Sequence, residues 1–145
     1  MPNVYIVMGN GKTRKSALIR AISGVRNRGK YEVEDTTPTK HEFFIQVRSL
    51  QEAKIDPQRF ISEIQAENAQ HVLLALRINR LNGQPDGVSY INAFQSAAWN
   101  INGIVVMGAN PPAGLPAVPT TMMNNPTSRA ANEMANIIRQ AWGWK

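Results

Sequence analysis

The amino-acid sequence predicts an α/β fold, a three-layer arrangement in which a mostly parallel sheet of about four to five strands carries helices on both faces. Three observations lead there. Short apolar runs rich in β-branched residues alternate along the chain with segments of helical periodicity. The runs are almost continuously apolar, the pattern of strands covered on both faces. The 145 residues, 43% of them hydrophobic, suffice for one core, and no linker divides them, so residues 1–145 are read as a single domain.

Residues 4–8 (VYIVM) are the first expected strand, which Gly9 and Gly11 break. Ala17, Leu18, Ala21 and Ile22 then recur at helical spacing from Lys15 onward, and Gly24 supplies the C-terminal stop. Residues 31–35 alternate as a strand does, Thr36, Thr37 and Pro38 make a turn, and residues 43–47 (FFIQV) are a further strand. Asp56 as N-cap and Pro57 at the first helical position open a helix with Phe60, Ile61 and Ile64 facing inward. Residues 71–78 (HVLLALRI), the longest apolar run, are the expected central strand.

Turn signals follow at Asn82-Gly83 and Pro85-Asp86-Gly87. Ser89 then caps a helix that runs to Trp99, with Ile91, Phe94 and Ala98 on one face. Residues 104–107 (IVVM) are a strand ended by Gly108. Residues 110–126 contain Pro111, Pro112, Pro116, Pro119 and Pro126 and read as a long lid, binding or docking loop. Asn125 and Pro126 start the last helix, with Ala130, Met134, Ile137, Ile138 and Ala141 inward.

Composition narrows the chemistry. The absence of cysteine excludes disulfides, thiolate metal sites and cysteine nucleophiles. His41 and His71 have no ligand spacing around them, so no zinc site is expected and both read as structural. No apolar run reaches the roughly 18 residues of a membrane span. The first basic residues follow the first apolar run, the reverse of a signal peptide, so no membrane partner and a cytoplasmic location are expected. The net charge of +6 is uneven: Lys12, Arg14, Lys15, Arg20, Arg26, Arg28 and Lys30 precede the first acid, Glu32. A positive field gathered at one place predicts an anionic partner there.

That cluster begins in the segment Gly9, Asn10, Gly11, Lys12, Thr13, Arg14, Lys15 and Ser16, between an apolar strand and a helix. Backbone N–H groups at such a turn, with the positive end of the helix dipole, form an anion-binding concavity. The segment resembles the Walker A loop of P-loop NTPases, G-x-x-x-x-G-K-[ST], with Gly9 as the first glycine. The resemblance implies a P-loop NTPase-like sheet and an ATP or GTP bound with Mg2+. It also implies Lys15 on the β- and γ-phosphates and Ser16 on the metal. Arg14 stands where the family has its second glycine and is expected to reshape the loop or add charge to the phosphates. The register built on Gly11, Lys12 and Thr13 fails because Ile6, inside the strand, would have to be its first glycine.

The family also places an aspartate at the end of an apolar strand to hold magnesium. Here residues 43–47 lead to Arg48, residues 71–78 end at Arg77 and Ile78 before Asn79, and residues 104–107 lead to Gly108, Ala109 and Asn110. Asp35 and Asp86 are the nearest loop acids, and Asp35 is the one expected to approach the metal. Nucleotide binding is therefore expected with weak or degenerate NTPase or small-molecule kinase chemistry. Arg77 and Arg80 either bind phosphate or are exposed.

Two alternatives share the residues. Gly9 and Gly11 fit the start of the Rossmann dinucleotide fingerprint, with Glu34 or Asp35 near its acidic position and Arg14 on its third glycine. The basic segment 12–30 could instead contact nucleic-acid phosphates without nucleotide chemistry, although aromatics are sparse and none interleaves before Tyr31. Trp142 and Trp144 read as a helix end tied down by aromatic packing, or as a stacking surface.

Overall fold

The computed structural model describes residues 2–108 and 110–144. Ala109, read above as part of an acid-free strand exit, lies outside them.

The run Val4, Ile6, Val7 and Met8 is buried, and it occupies the middle of the sheet. Strand β1 (Asn3–Met8) pairs in parallel with β4 (His71–Leu76) on one side and β5 (Asn100–Met107) on the other, Val7 facing both Ala75 and Val105. Beyond β4 lies β3 (Lys40–Ser49), parallel to it, and then β2 (Gly29–Glu34), antiparallel to β3. Beyond β5 lies β6 (Thr120–Met123), also parallel. The order is β2-β3-β4-β1-β5-β6. The expected α/β sheet is present, with six strands, mostly parallel, and the residue 31–35 strand is half of a hairpin.

Four α-helices cover the sheet among the described residues: α1 (Lys15–Ser23), α2 (Pro57–Glu67), α3 (Gly87–Ser96) and α4 (Ala131–Trp142). Period-two alternation divides the strand side chains between two cores. Ile6, Leu74 and Val106 meet Phe60 and Ile64 of α2 and Tyr90 and Phe94 of α3 on one face. Val7, Leu73 and Val105 meet Leu18 and Ile22 of α1 and Met134 and Ile138 of α4 on the other. This division follows from connection geometry. The chain runs one way along the sheet from β1 to β3, and the other way from β3 through β4 to β5. Crossovers of one hand that run in opposite directions must place their helices on opposite faces.

Several boundaries differ from expectation, among them β4, which ends at Leu76 rather than Ile78, and β3 and β5, which run longer than their apolar cores. Helix α3 begins at Gly87, because Asp86 rather than Ser89 is its cap: the Asp86 carboxylate accepts the Ser89 N–H at 2.9 Å. It ends at Ser96, and Ala98 is exposed in a left-handed turn with φ 63°. The proline-rich stretch contains β6, whose four residues TTMM include one fully buried side chain, Met123, too short a signal to stand out. Asn125 and Pro126 open a separate 3-10 turn (Pro126–Ser128), which extended Arg129 divides from α4. Met134, Ala135 and Ile138 are therefore the buried residues of α4, and Ala130, Ile137 and Ala141 are exposed.

The two C-terminal tryptophans tie down the helix end. Tyr5 lies 5.0 Å from both Trp142 and Trp144, ring centre to ring centre, and Trp144 packs on Phe43 at 4.9 Å. On the other face Phe60 is fully buried among Phe44, Phe94 and Trp99. Phe60→Ala is expected to cost about 3–5 kcal/mol of stability. Ile137→Ala should cost less than about 0.5 kcal/mol. Urea unfolding followed by tryptophan fluorescence measures both.

Candidate functional site

β1 differs from both of its neighbours in where it sends the chain. It leads into α1 on one face, whereas β4 leads into α3 on the other, and Leu115 and Val118 beyond β5 pack on the α3 face. Such a divergence opens a crevice at the carboxyl ends of the strands, the usual ligand position in open α/β sheets. Loop 9–14 and residues 77–79 fill the two sides of this crevice. They touch through the Asn79 N–H, which donates to Asn10 Oδ1 at 3.0 Å.

The loop is held tightly. The Gly9 N–H continues the sheet by donating to the Leu76 carbonyl at 3.0 Å. A Cβ at Gly9 would lie 2.5 Å from Thr13 Oγ1 and 2.9 Å from Met107 Cβ, so the close approach to β5 requires glycine there. The Asn10 carbonyl accepts from Thr13 Oγ1 at 2.6 Å and from Lys15 Nζ at 3.1 Å. Lys12 (φ 64°) and Arg14 (φ 67°) are left-handed, whereas Gly11 before them and Thr13 between them are not. That alternation curls successive N–H groups into a concavity. Among the described residues the backbone N–H groups of residues 10–14 donate no hydrogen bond, and the first turn of α1 adds further unpaired N–H groups.

Charge converges on this concavity. Lys15 is only 5% exposed. Its ammonium lies 3.8 Å from the Glu52 carboxylate, and the Arg77 guanidinium is close enough to repel it. Burial, the largest effect, and Arg77 push the Lys15 pKa down, while Glu52 acts upward. Arg77 leaves the end of β4, its backbone clamped by the buried Gln51 side chain at 3.0 Å from both N and O. Its Nη1 would lie 2.8 Å from a Cβ at Gly11. Its Nε is the buried side-chain polar atom without a hydrogen-bond partner among the described residues. An unpaired buried donor beside a desolvated ammonium favours an anion at that point.

Several expected residues land elsewhere. Arg14 keeps the left-handed conformation that the family's glycine would permit, but its side chain turns away and donates to the carbonyls of Arg129, at 2.5 Å, and Pro126, at 3.5 Å. It fastens the loop to the segment before α4 instead of adding charge to phosphates. Ser16 donates to the Val47 carbonyl at 3.1 Å, which sets its hydroxyl at the carboxyl end of β3. Lys12 is exposed at the loop tip.

Asp35 does not approach Ser16. It precedes β3, which runs parallel to β1, and so lies at the amino end of the sheet, opposite the loop. There it accepts from Thr37, Thr39 and His41, bonds that hold its carboxyl well below the usual carboxylate range, with the His41 contact at 2.8 Å. β2 is antiparallel and three positions from β1 in the sheet, so neither Glu34 nor Asp35 can face a ligand on loop 9–16 as the dinucleotide fingerprint requires.

The acid that sequence reading missed is Glu52. It sits in the turn after β3, beyond the apolar run, and Ser49 Oγ donates to its carboxylate at 2.6 Å while its N–H donates back to Ser49 Oγ at 3.2 Å. The spacing Ser49-x-x-Glu52 is the reciprocal capping pattern and was its one visible signal.

Compared with known proteins, the chain matches no family model, no curated protein and no solved structure.

The depressed Lys15 pKa has a stability consequence. The unfolded chain holds that proton up to about 10.5, so folding loses stability as pH falls below 10.5 toward the lowered native value, and the penalty stays constant below it. Relative to Lys15→Met, the native protein should therefore gain stability as pH rises toward 10.5. Urea midpoints across alkaline pH read this directly, and a parallel pH dependence in the two proteins would contradict it.

Proposed function

We propose that the protein binds a nucleoside di- or triphosphate, ATP or GTP with Mg2+, on the P-loop-like segment Gly9 to Ser16. The convergence of Lys15 and Arg77 on a run of unpaired N–H groups, against the single acid Glu52, carries this proposal. A polyphosphate would relieve the repulsion between the two cations and supply an acceptor for Arg77. Lys15 acts as a compact charge, and Arg77 offers a planar fork of donors. Gly11 lets the phosphate approach the backbone where a side chain would collide with Arg77.

The donor set suits a metal held chiefly by phosphate and water. Ser16 and Glu52 are the residues of this chain that would hold such an ion, which would supply positive charge to neutralise the phosphates. No cluster of three or more histidine or acidic side chains able to cage a metal occurs among the described residues. A cavity of about 690 Å³ bordered by Asn79, Arg80, Asp86 and Pro112 adjoins the loop and has room for sugar and base. Binding is better supported than fast turnover, because Glu52 comes from a turn and already accepts the Ser49 hydroxyl.

Titration calorimetry with ATP and GTP in Mg2+ tests the proposal. Lys15→Ala and Arg77→Ala should each weaken binding about tenfold or more, the loss of a charge-assisted contact of about 1.5–3 kcal/mol. Glu52→Gln should reduce the gain in affinity that Mg2+ confers while leaving metal-free affinity unchanged or higher. Equal affinity in the native protein, K15A and R77A would refute the proposed site.

A further inference from the structure

The seven cations that precede Glu32 meet different fates. Lys12, Arg14 and Lys15 belong to the loop. Arg28 is fixed by Gln46 and Glu63, at 2.8 Å from each, and lies over the Phe44 ring. Lys30 reaches Glu42 at 3.8 Å and Glu67 at 3.5 Å. Arg20, on α1, and Arg26, just after it, are exposed and form no ion pair among the described residues. A third exposed arginine joins them from a distant part of the sequence: Arg48, at the carboxyl end of β3, whose side chain donates to the Glu52 carbonyl at 3.2 Å.

These three arginines border two adjoining hollows of about 780 and 390 Å³, which share Arg20, Arg26 and Asn27 and contain no acidic side chain. The groove starts beside Val47, the carbonyl that accepts the Ser16 hydroxyl, and follows α1 away from the loop. At its rim stands Tyr31, one of two large apolar side chains left exposed among the described residues, anchored by its hydroxyl to the Asn27 carbonyl at 2.9 Å.

We propose that this groove binds single-stranded nucleic acid, with backbone phosphates on Arg20, Arg26 and Arg48 and a base stacked on Tyr31. Guanidinium forks without acidic partners match phosphodiester oxygens. An anchored, half-exposed ring beside them provides the stacking surface on which single strands are held. A base inside a duplex is already stacked on its neighbours and cannot lie on one surface ring, and an acidic peptide offers no base. The site is distinct from loop 9–16 and needs no nucleotide there.

Fluorescence anisotropy of labelled oligothymidylate with the full chain, between about 50 and 200 mM salt, tests the proposal. The native protein should bind with an affinity that falls steeply with salt. The R20A/R26A/R48A variant should bind about tenfold more weakly or worse, with a log–log salt slope shallower by about 2, the slope carried by three phosphate contacts to a single strand. Tyr31→Ala should lose about fivefold or more, the size of one stacking contact, without a change in slope. An unchanged urea midpoint shows that the variants are folded. Absence of binding at low salt, or equal binding by the triple variant, overturns the proposal. So does competition by duplex DNA or polyglutamate as strong as that by unlabelled oligothymidylate.

Discussion

Strand β1 has no open edge and no open face. β4 bonds to one side and β5 to the other, and the two helical layers cover its side chains. The chain leaving Met8 must therefore emerge at the carboxyl end of the sheet and pass over to α1 within a few residues. Glycine at position 9 permits the turn against Met107, and left-handed Lys12 and Arg14 complete it. The curled N–H groups, the buried ammonium of Lys15 and the facing guanidinium of Arg77 all result from that forced exit. Arg14, tied to the Arg129 carbonyl, secures it from the far side.

The elements with strong local signals were legible in the sequence. Asp56-Pro57, the apolar runs of β1 and β4, and Gly24 after α1 each carry their own stop or start chemistry, and each marks its element, although β4 ends at Leu76, before the run does. What escaped depends on distant partners. β6 has four residues and gains its identity from pairing with β5. Ser89 was read as the cap of α3 and Asp86 as part of a turn, and only the backbone direction gives the cap to Asp86. The site divides in the same way. Loop position, Lys15 and Ser16 follow from spacing along the chain. Glu52 reaches Lys15 from 37 positions away, and Arg77 faces Gly11 because β4 is inserted beside β1. Asp35 was assigned to the metal on sequence proximity alone, and the hairpin of β2 and β3 carries it to the opposite end of the sheet.

Positive charge in this molecule is sorted rather than pooled. The basic segment 12–30 reads as one field in sequence, yet folding distributes it to a loop tip, a backbone clamp, a buried lysine beside Glu52 and two neutralised surface pairs. The remainder, Arg20 and Arg26, gains weight only because β3 brings Arg48 alongside. The two anion-seeking surfaces differ in kind. Lys15 and the Arg77 Nε are desolvated, where a charge interacts strongly and salt screens it weakly. The arginines of the groove are exposed, where many contacts add up and salt weakens each of them.

The central claim is that Lys15 is a desolvated cation awaiting an anion. The most direct measurement is the Lys15 ammonium pKa, followed by NMR of 15N-labelled lysine in the free protein and with inorganic pyrophosphate. The account predicts a value below the usual lysine range in the free protein and a rise when pyrophosphate binds, because the anion stabilises the charged form. An ordinary value in the free protein, or one that pyrophosphate leaves unmoved, would contradict it.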